Sequence, residues 1–210
     1  LFKKILSNIF GFIKDGKHLT VKMKRIKIDH PDAIKETLLA LEDNQIVVYP
    51  TDTIYGIGTD IDNIEGIEKI NFLKNRKAPM SIIVHSFESI EQKLIIPYKF
   101  RNQMDNIIKN GDTCITPYQS GAFSDIITQD NRIGFRIPNY PFLITLLSLY
   151  KKPITTTSIN RTGQTPLNSP EKIEEIFGND IDLMLDAGTI TNSNASKIYI
   201  FDQNNMSQIR

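Results

Sequence analysis

The residues best suited to chemistry in this chain stand where apolar runs stop. Val47-Val48-Tyr49 reads as a buried strand, but Pro50-Thr51-Asp52-Thr53 follows at once, with Gly56 and Gly58 close behind. Pro153-Ile154 leads in the same way into Thr155-Thr156-Thr157-Ser158-Ile159-Asn160, then Arg161-Thr162-Gly163. Ligands of α/β sheets collect at strand ends, and short polar side chains beside glycine let a polar ligand approach the backbone. Hydroxyls and aspartate also shape ordinary turns by bonding local backbone. Both readings are open for each stretch alone, and finding the same ending on two strands weighs against turns only.

Cations accompany the hydroxyls. Leu73-Lys74-Asn75-Arg76-Lys77 closes a helical pattern. Lys74 and Arg76, two apart near a chain reversal, can offer a polyphosphate a point charge and a planar fork. They equally suit a solvated helix C-terminus. His85 closes the run Ile82-Ile83-Val84 either as a structural residue or as a ligand contact. Arg136 interrupts Ile133-Gly134-Phe135 and Ile137. A buried charge is costly unless paired, so Arg136 requires a carboxylate, supplied by the protein or by a ligand.

The elements that must hold these groups alternate between strand and helix. Strands are expected at 25–28, 45–49, 81–85, 113–116, 133–136, 154–157, 183–186 and 197–201. Helices are expected at 31–42, 63–74, 99–109, 141–150 and 170–177. The alternation implies an α/β fold with a mostly buried, mixed sheet. Residues 117–131, polar and glycine-containing, read as a long mobile loop.

With 210 residues, 40% of them hydrophobic, the chain can bury one sizeable core. No run reaches the roughly 18 to 20 apolar residues of a spanning helix, so a cytoplasmic protein without a membrane segment is the expectation. Cys114 is the only cysteine and His18, His30 and His85 the only histidines, which leaves no zinc-ligand cluster. Phosphate-loop, HExxH and GxSxG signatures are absent, and Ile61 stands where a dinucleotide fingerprint needs its third glycine.

Charge is uneven. Residues 1–27 carry eight Lys or Arg against Asp15 alone, leaving 17 basic and 23 acidic residues in the remainder. Such an acidic body binds nucleic acid poorly in general, so any polyanion needs a locally basic pocket. Leu1, Ile5, Ile9 and Ile13 form a helical stripe, making residues 1–16 an expected amphipathic helix that lies on a surface or on its own core. Met23 opens a natural strand. The expected division is a basic segment, 1–22, and a domain, 23–210.

Taken in order, YPTDTIYGIG, LKNR, a strand closed by His85, TCITP, IGFRIP and TTTSINRTG resemble the YrdC/Sua5 family, in its short single-domain form of threonylcarbamoyl-AMP synthase. The resemblance spans about residues 24–210 and implies a twisted mixed sheet with flanking helices around a concave, positively charged cavity. It implies ATP, L-threonine and bicarbonate as substrates, Mg²⁺ brought with ATP, and no protein-held metal. Carbamate formed on the threonine amine would attack the α-phosphorus, releasing pyrophosphate. The adenylate would pass to partner proteins that modify adenosine 37 of tRNA. Matching motif positions place Lys74, Arg76, Ser158 and Asn160 in catalysis and at ATP, and Arg210 at phosphate. They place Thr53, His85, Arg136, Thr156 and Ser196 at threonine.

The alternative is a relative of the YciO branch or an RNA- or nucleotide-binding paralogue that makes no adenylate. This sequence departs from the family pattern at Asn75, where glycine is usual, at Lys77, where proline is usual, and at Ile159. The family's Trp-Pro-Gly-Pro segment is reduced to Lys109-Asn110-Gly111-Asp112-Thr113.

Overall fold

The computed structural model describes residues 13–14, 17–18, 23–191 and 194–210. Its strands are β1 Ile13–Lys14, β2 Lys17–His18, β3 Lys24–Lys27, β4 Val47–Tyr49, β5 Gly56–Gly58, β6 Ser81–Ile83, β7 Thr113–Pro117, β8 Arg132–Arg136, β9 Ile154–Ser158, β10 Leu183–Asp186, β11 Ile198–Phe201 and β12 Met206–Gln208. The described helices are α1 Ala33–Glu42, α2 Ile64–Lys74, α3 Arg101–Lys109, α4 Pro141–Tyr150 and α5 Pro170–Phe177. Ten strands form one sheet in the order β12-β11-β7-β8-β6-β9-β5-β4-β10-β3. Pairing is mixed: β10 runs parallel to β3 and β4, whereas β5 is antiparallel to both β4 and β9.

Successive strand residues enter different cores, as side chains pointing to opposite faces must. Val47 joins α1 and α4 residues such as Leu41 and Leu147, while Val48 joins Ile67, Ile70 and Phe177. Ile82 and Ile83 divide the same way. Both faces are thus covered, which explains the continuous apolar strands.

Local chemistry sets the ends. The Asn63 side chain accepts the Gly66 N–H at 3.0 Å to start α2, and Ser169 with Pro170 starts α5. Asn75 ends α2 in the left-handed region at φ 51°, and the Arg76 N–H closes back on Asn71 O at 2.8 Å. Asparagine tolerates that backbone, so its replacement of the family's glycine preserves the turn that aims Arg76. At the end of α2, Leu73 is inside and Phe72 is 78% exposed.

Three expectations need correction. The amphipathic helix over 1–16 lies largely outside the described residues, and its described part, Ile13–Lys14, is a strand pairing with Lys17–His18. The segment 117–131 is not a loose loop. Phe123 and Ile127 are buried in the core, Tyr118 meets Phe123 edge-on, and the Tyr118 hydroxyl bonds Thr128. Finally, the glycines after Thr53 form β5. A Cβ on Gly58 would lie 1.8 Å from Thr155 O, and one on Gly56 would lie 2.9 Å from the Tyr49 ring. They admit β9 and Tyr49, and the close approach first expected of a ligand is made by the protein itself.

Candidate active site

The ends of β4, β8 and β9 and the start of β5 converge on a cleft lined by Thr51, Thr53, Tyr55, Gly56, Arg76, Ser81, Thr113, Arg136, Thr156, Thr157, Ser158, Ser196 and Arg210. Thr51 builds the first wall. Its Oγ1 accepts the N–H groups of Thr53 at 3.0 Å and Ile54 at 3.1 Å and donates to Ile54 O at 2.7 Å. The turn reading of PTDT is therefore correct, and the turn is what presents Thr53 to the cleft.

Arg136 enters from β8 and finds the carboxylate it requires in Asp52. Its Nη2 donates to both Asp52 oxygens, at 2.7 and 2.9 Å, and its Nη1 donates to Thr53 Oγ1 at 3.2 Å. Nε is buried without a partner among the described residues. Burial, the largest influence, lowers the Arg136 pKa against the opposing pull of Asp52.

Arg76 has no carboxylate contact among the described residues. It donates to Ala78 O at 2.7 Å, to Thr157 Oγ1 at 3.2 Å and to Pro79 O. Burial, then the charge of Arg210, lowers its pKa. Arg210 arrives because β12 folds back on β11, and its Nε and Nη2 donate to Ser196 O at 3.0 and 2.8 Å. Ser196 Oγ shares a hydrogen bond with Thr113 at 3.0 Å. Three guanidinium groups thus share one cleft, and Asp52 contacts Arg136 among them.

Lys74 does not line the cleft. It is 3% exposed, and its Nζ donates to Ser158 O, to Asn160 O at 2.8 Å and to Asn160 Oδ1 at 2.9 Å. Ser158 Oγ also donates to Asn160 Oδ1, at 2.7 Å, while Asn160 Nδ2 is spent on Arg161 O and Gln164 O. The structure thus divides the expected quartet: Arg76 and Ser158 face the cleft, and Lys74 and Asn160 form a buried knot behind it that fixes the end of β9. Burial, with Arg76 second, brings Lys74 down to about 8. Thr53, Thr156 and Ser196 line the cleft, but His85 does not. It leaves β6 beside the end of β8, where Val84 N–H donates to Arg136 O at 3.1 Å.

Sequence reasoning missed Asp52 as the partner of Arg136, and Tyr55, whose hydroxyl donates to Gly188 O at 2.9 Å and accepts the Ala187 N–H. Burial pushes the Cys114 thiol up to about 12, unsuited to nucleophilic work. The cleft volume, about 110 Å³, is smaller than the few hundred Å³ usual for a ligand pocket.

A Sua5/YciO/YrdC family model, described as telomere recombination, matches residues 39–210. The chain belongs to the Sua5/YciO/YrdC family. A relative named threonylcarbamoyl-AMP synthase, from Vibrio campbellii, is 29% identical over 172 residues, covering 78% of this chain and 91% of that one. YciO from E. coli superposes with a TM-score of 0.80 at 19% identity, covering 90% of this chain and 94% of that one. Sua5 of P. abyssi, complexed with L-threonine, gives 0.78 at 22% identity over 90% of this chain. This chain spans 56% of that Sua5 chain. Both structural likenesses establish the Sua5/YciO/YrdC fold, a twisted mixed sheet with flanking helices. In this member of the Sua5/YciO/YrdC family, the shortened 109–113 segment keeps Gly111 at φ 73°, against Asp52 and Asn139.

Proposed function

We propose that the protein is an L-threonylcarbamoyladenylate synthase, a nucleotidyltransferase that joins L-threonine, bicarbonate and ATP and releases pyrophosphate. The observation that carries this reading is the gathering of Arg76, Arg136 and Arg210 with hydroxyls of β9 and the PTDT turn in one cleft. The name of the Vibrio relative supports the same activity.

In this reading Arg136 and Thr53 receive the threonine carboxylate and orient the amino group, with Thr156 and Ser196 nearby. His85, outside the cleft wall, takes part only if the site rearranges. Arg76, Ser158 and Arg210 hold the phosphates and stabilise charge developing on the α-phosphoryl and pyrophosphate. Lys74 and Asn160 act through Ser158. Positioning and charge neutralisation dominate such transfers, and no side chain is needed to form a covalent intermediate. Mg²⁺ enters on the ATP phosphates as part of the substrate; among the described residues no His, Cys, Asp and Glu cluster is placed to hold it. The adenylate passes to proteins that modify tRNA adenosine 37, in the cytoplasm. No described helix is long and apolar enough to cross a membrane.

The test is pyrophosphate release by purified protein. Release should require ATP, threonine and bicarbonate together, and Arg76→Ala should lower it by about 100-fold, the size of losing one charge-stabilising donor. A protein that binds ATP yet releases nothing, where the Vibrio enzyme turns over, would instead be a nucleotide- or RNA-binding paralogue of the YciO kind.

A further inference from the structure

The three cleft arginines are not equivalent. Among the described residues, Arg76 and Arg210 touch only neutral oxygens: carbonyls and, for Arg76, Thr157 Oγ1. Arg136 alone meets a carboxylate, with both Asp52 oxygens within 2.9 Å of Nη2. Asp112 adds negative charge on the same side, and its own Oδ1 accepts the Lys197 N–H at 2.8 Å. Arg210, held on Ser196 O, shares the cleft with both: its charge lowers the Arg76 pKa, and the charge of Arg136 lowers its own. The cleft therefore has a cationic end at Arg76 and Arg210 and a charge-balanced end at Arg136.

We propose that Asp52 is a specificity-determining positioning residue that reserves the Arg136 end for a zwitterionic amino acid and confines polyphosphate to the Arg76 and Arg210 end. This rests on the synthase reading above. Asp52 grips one nitrogen with two oxygens rather than occupying the two-nitrogen fork, the stronger arrangement for a carboxylate. Arg136 therefore keeps N–H capacity for a ligand carboxylate while its net charge is cancelled. A polyphosphate gains little there, because its several negative charges meet Asp52 and Asp112 as well as Arg136. Asp52 also packs against Gly111, where a Cβ would lie 2.8 Å from Oδ2, so the carboxylate is held in place.

Calorimetric titration of inorganic tripolyphosphate and of L-threonine, singly and together, tests this without turnover. The wild-type protein should bind both at once, with little effect of one on the other. Asp52→Asn keeps the shape and removes the charge. Its affinity for tripolyphosphate should rise on the order of tenfold, as expected for a unit charge several ångströms away at an effective dielectric of about 20, and tripolyphosphate should now displace threonine. Unchanged tripolyphosphate affinity and unchanged independence from threonine in Asp52→Asn overturn the proposal while leaving the synthase reading standing. Wild-type protein that binds neither ligand overturns the synthase reading, and this proposal with it. Arg136→Gln gives an independent check should Asp52→Asn fail to fold. It should lose threonine binding and, because Asp52 is then uncompensated, weaken tripolyphosphate binding by no more than the order of tenfold that one unit charge at this distance accounts for; a loss of tripolyphosphate affinity as large as that of Arg76→Ala overturns the division.

Discussion

Replacing Gly58 by alanine would strike the joint that holds the two hydroxyl-bearing strand ends together. The new Cβ would stand 1.8 Å from Thr155 O, 2.9 Å from Thr155 C and 3.0 Å from the Tyr49 hydroxyl. Two of these are backbone atoms that cannot rotate away. Restoring an ordinary C···O separation of about 3.3 Å requires β9 to retreat by about 1.5 Å. That motion strains the Thr155 N–H to Thr59 O bond at 2.9 Å and the Gly56–Ser158 pairing beyond it. Overpacking of this kind costs about 1 to 3 kcal/mol, and at about 2 to 4 °C per kcal/mol for a chain of this size the melting temperature should fall by roughly 2 to 12 °C. Ser158 and Thr156 travel with β9, and a misplacement of about 1 Å at a reacting centre can cost about 100-fold. Synthase turnover should therefore drop by a similar factor at temperatures where the variant is folded. Circular-dichroism melts and steady-state kinetics read both effects. Gly134→Ala is the comparison: its Cβ meets Ser81 Oγ at 2.6 Å, a side-chain atom free to rotate, so its loss should be smaller. A Gly58→Ala melt within about 1 °C of wild type would refute the claim that backbone contact fixes this joint.

Lys74→Met removes the donor that ties Ser158 to Asn160 and should depress turnover while the protein stays folded. It also removes a buried charge that folding disfavours. Between about 8 and 10.5, the folded and ordinary pKa values, the unfolded wild-type chain holds this proton more firmly than the folded one. Wild-type stability should therefore rise with pH across that window relative to Lys74→Met, and a flat difference in denaturant melts would contradict the assigned burial. Asn75→Ala should lose about 1 to 2 kcal/mol to the left-handed backbone, whereas Asn75→Gly should match wild type in the same melts. A chain beginning at Met23 should fold and turn over as the full chain does; loss of folding would show that residues 1–22 belong to the domain.

Much of this architecture is legible in the sequence because single residues announce it. Pro141 and Pro170 mark the first turns of α4 and α5, and β10 follows from an isolated apolar run. The strand β5 was hidden, since Gly-Ile-Gly has little strand propensity and pairs only because β9 and Tyr49 need the space. The polar residues between 117 and 131 masked Phe123 and Ile127, whose four-residue spacing was the available clue. The requirement that Arg136 be paired follows from local sequence, but Asp52 lies 84 residues away, where no local pattern connects them. The motif match places Lys74 at ATP, whereas its Nζ turns back onto Ser158 and Asn160. Its place on the stripe of Ile67 and Ile70, three and four residues apart, is the signal that points it inward.

The most direct measurement follows carbon from bicarbonate into product. With ¹³C-bicarbonate, ATP and L-threonine, the mass spectrum should show an adenylate that carries one labelled carbon and the threonine skeleton, formed in step with pyrophosphate. Unlabelled AMP or ADP alone, with no threonine-containing adenylate, would contradict the central claim.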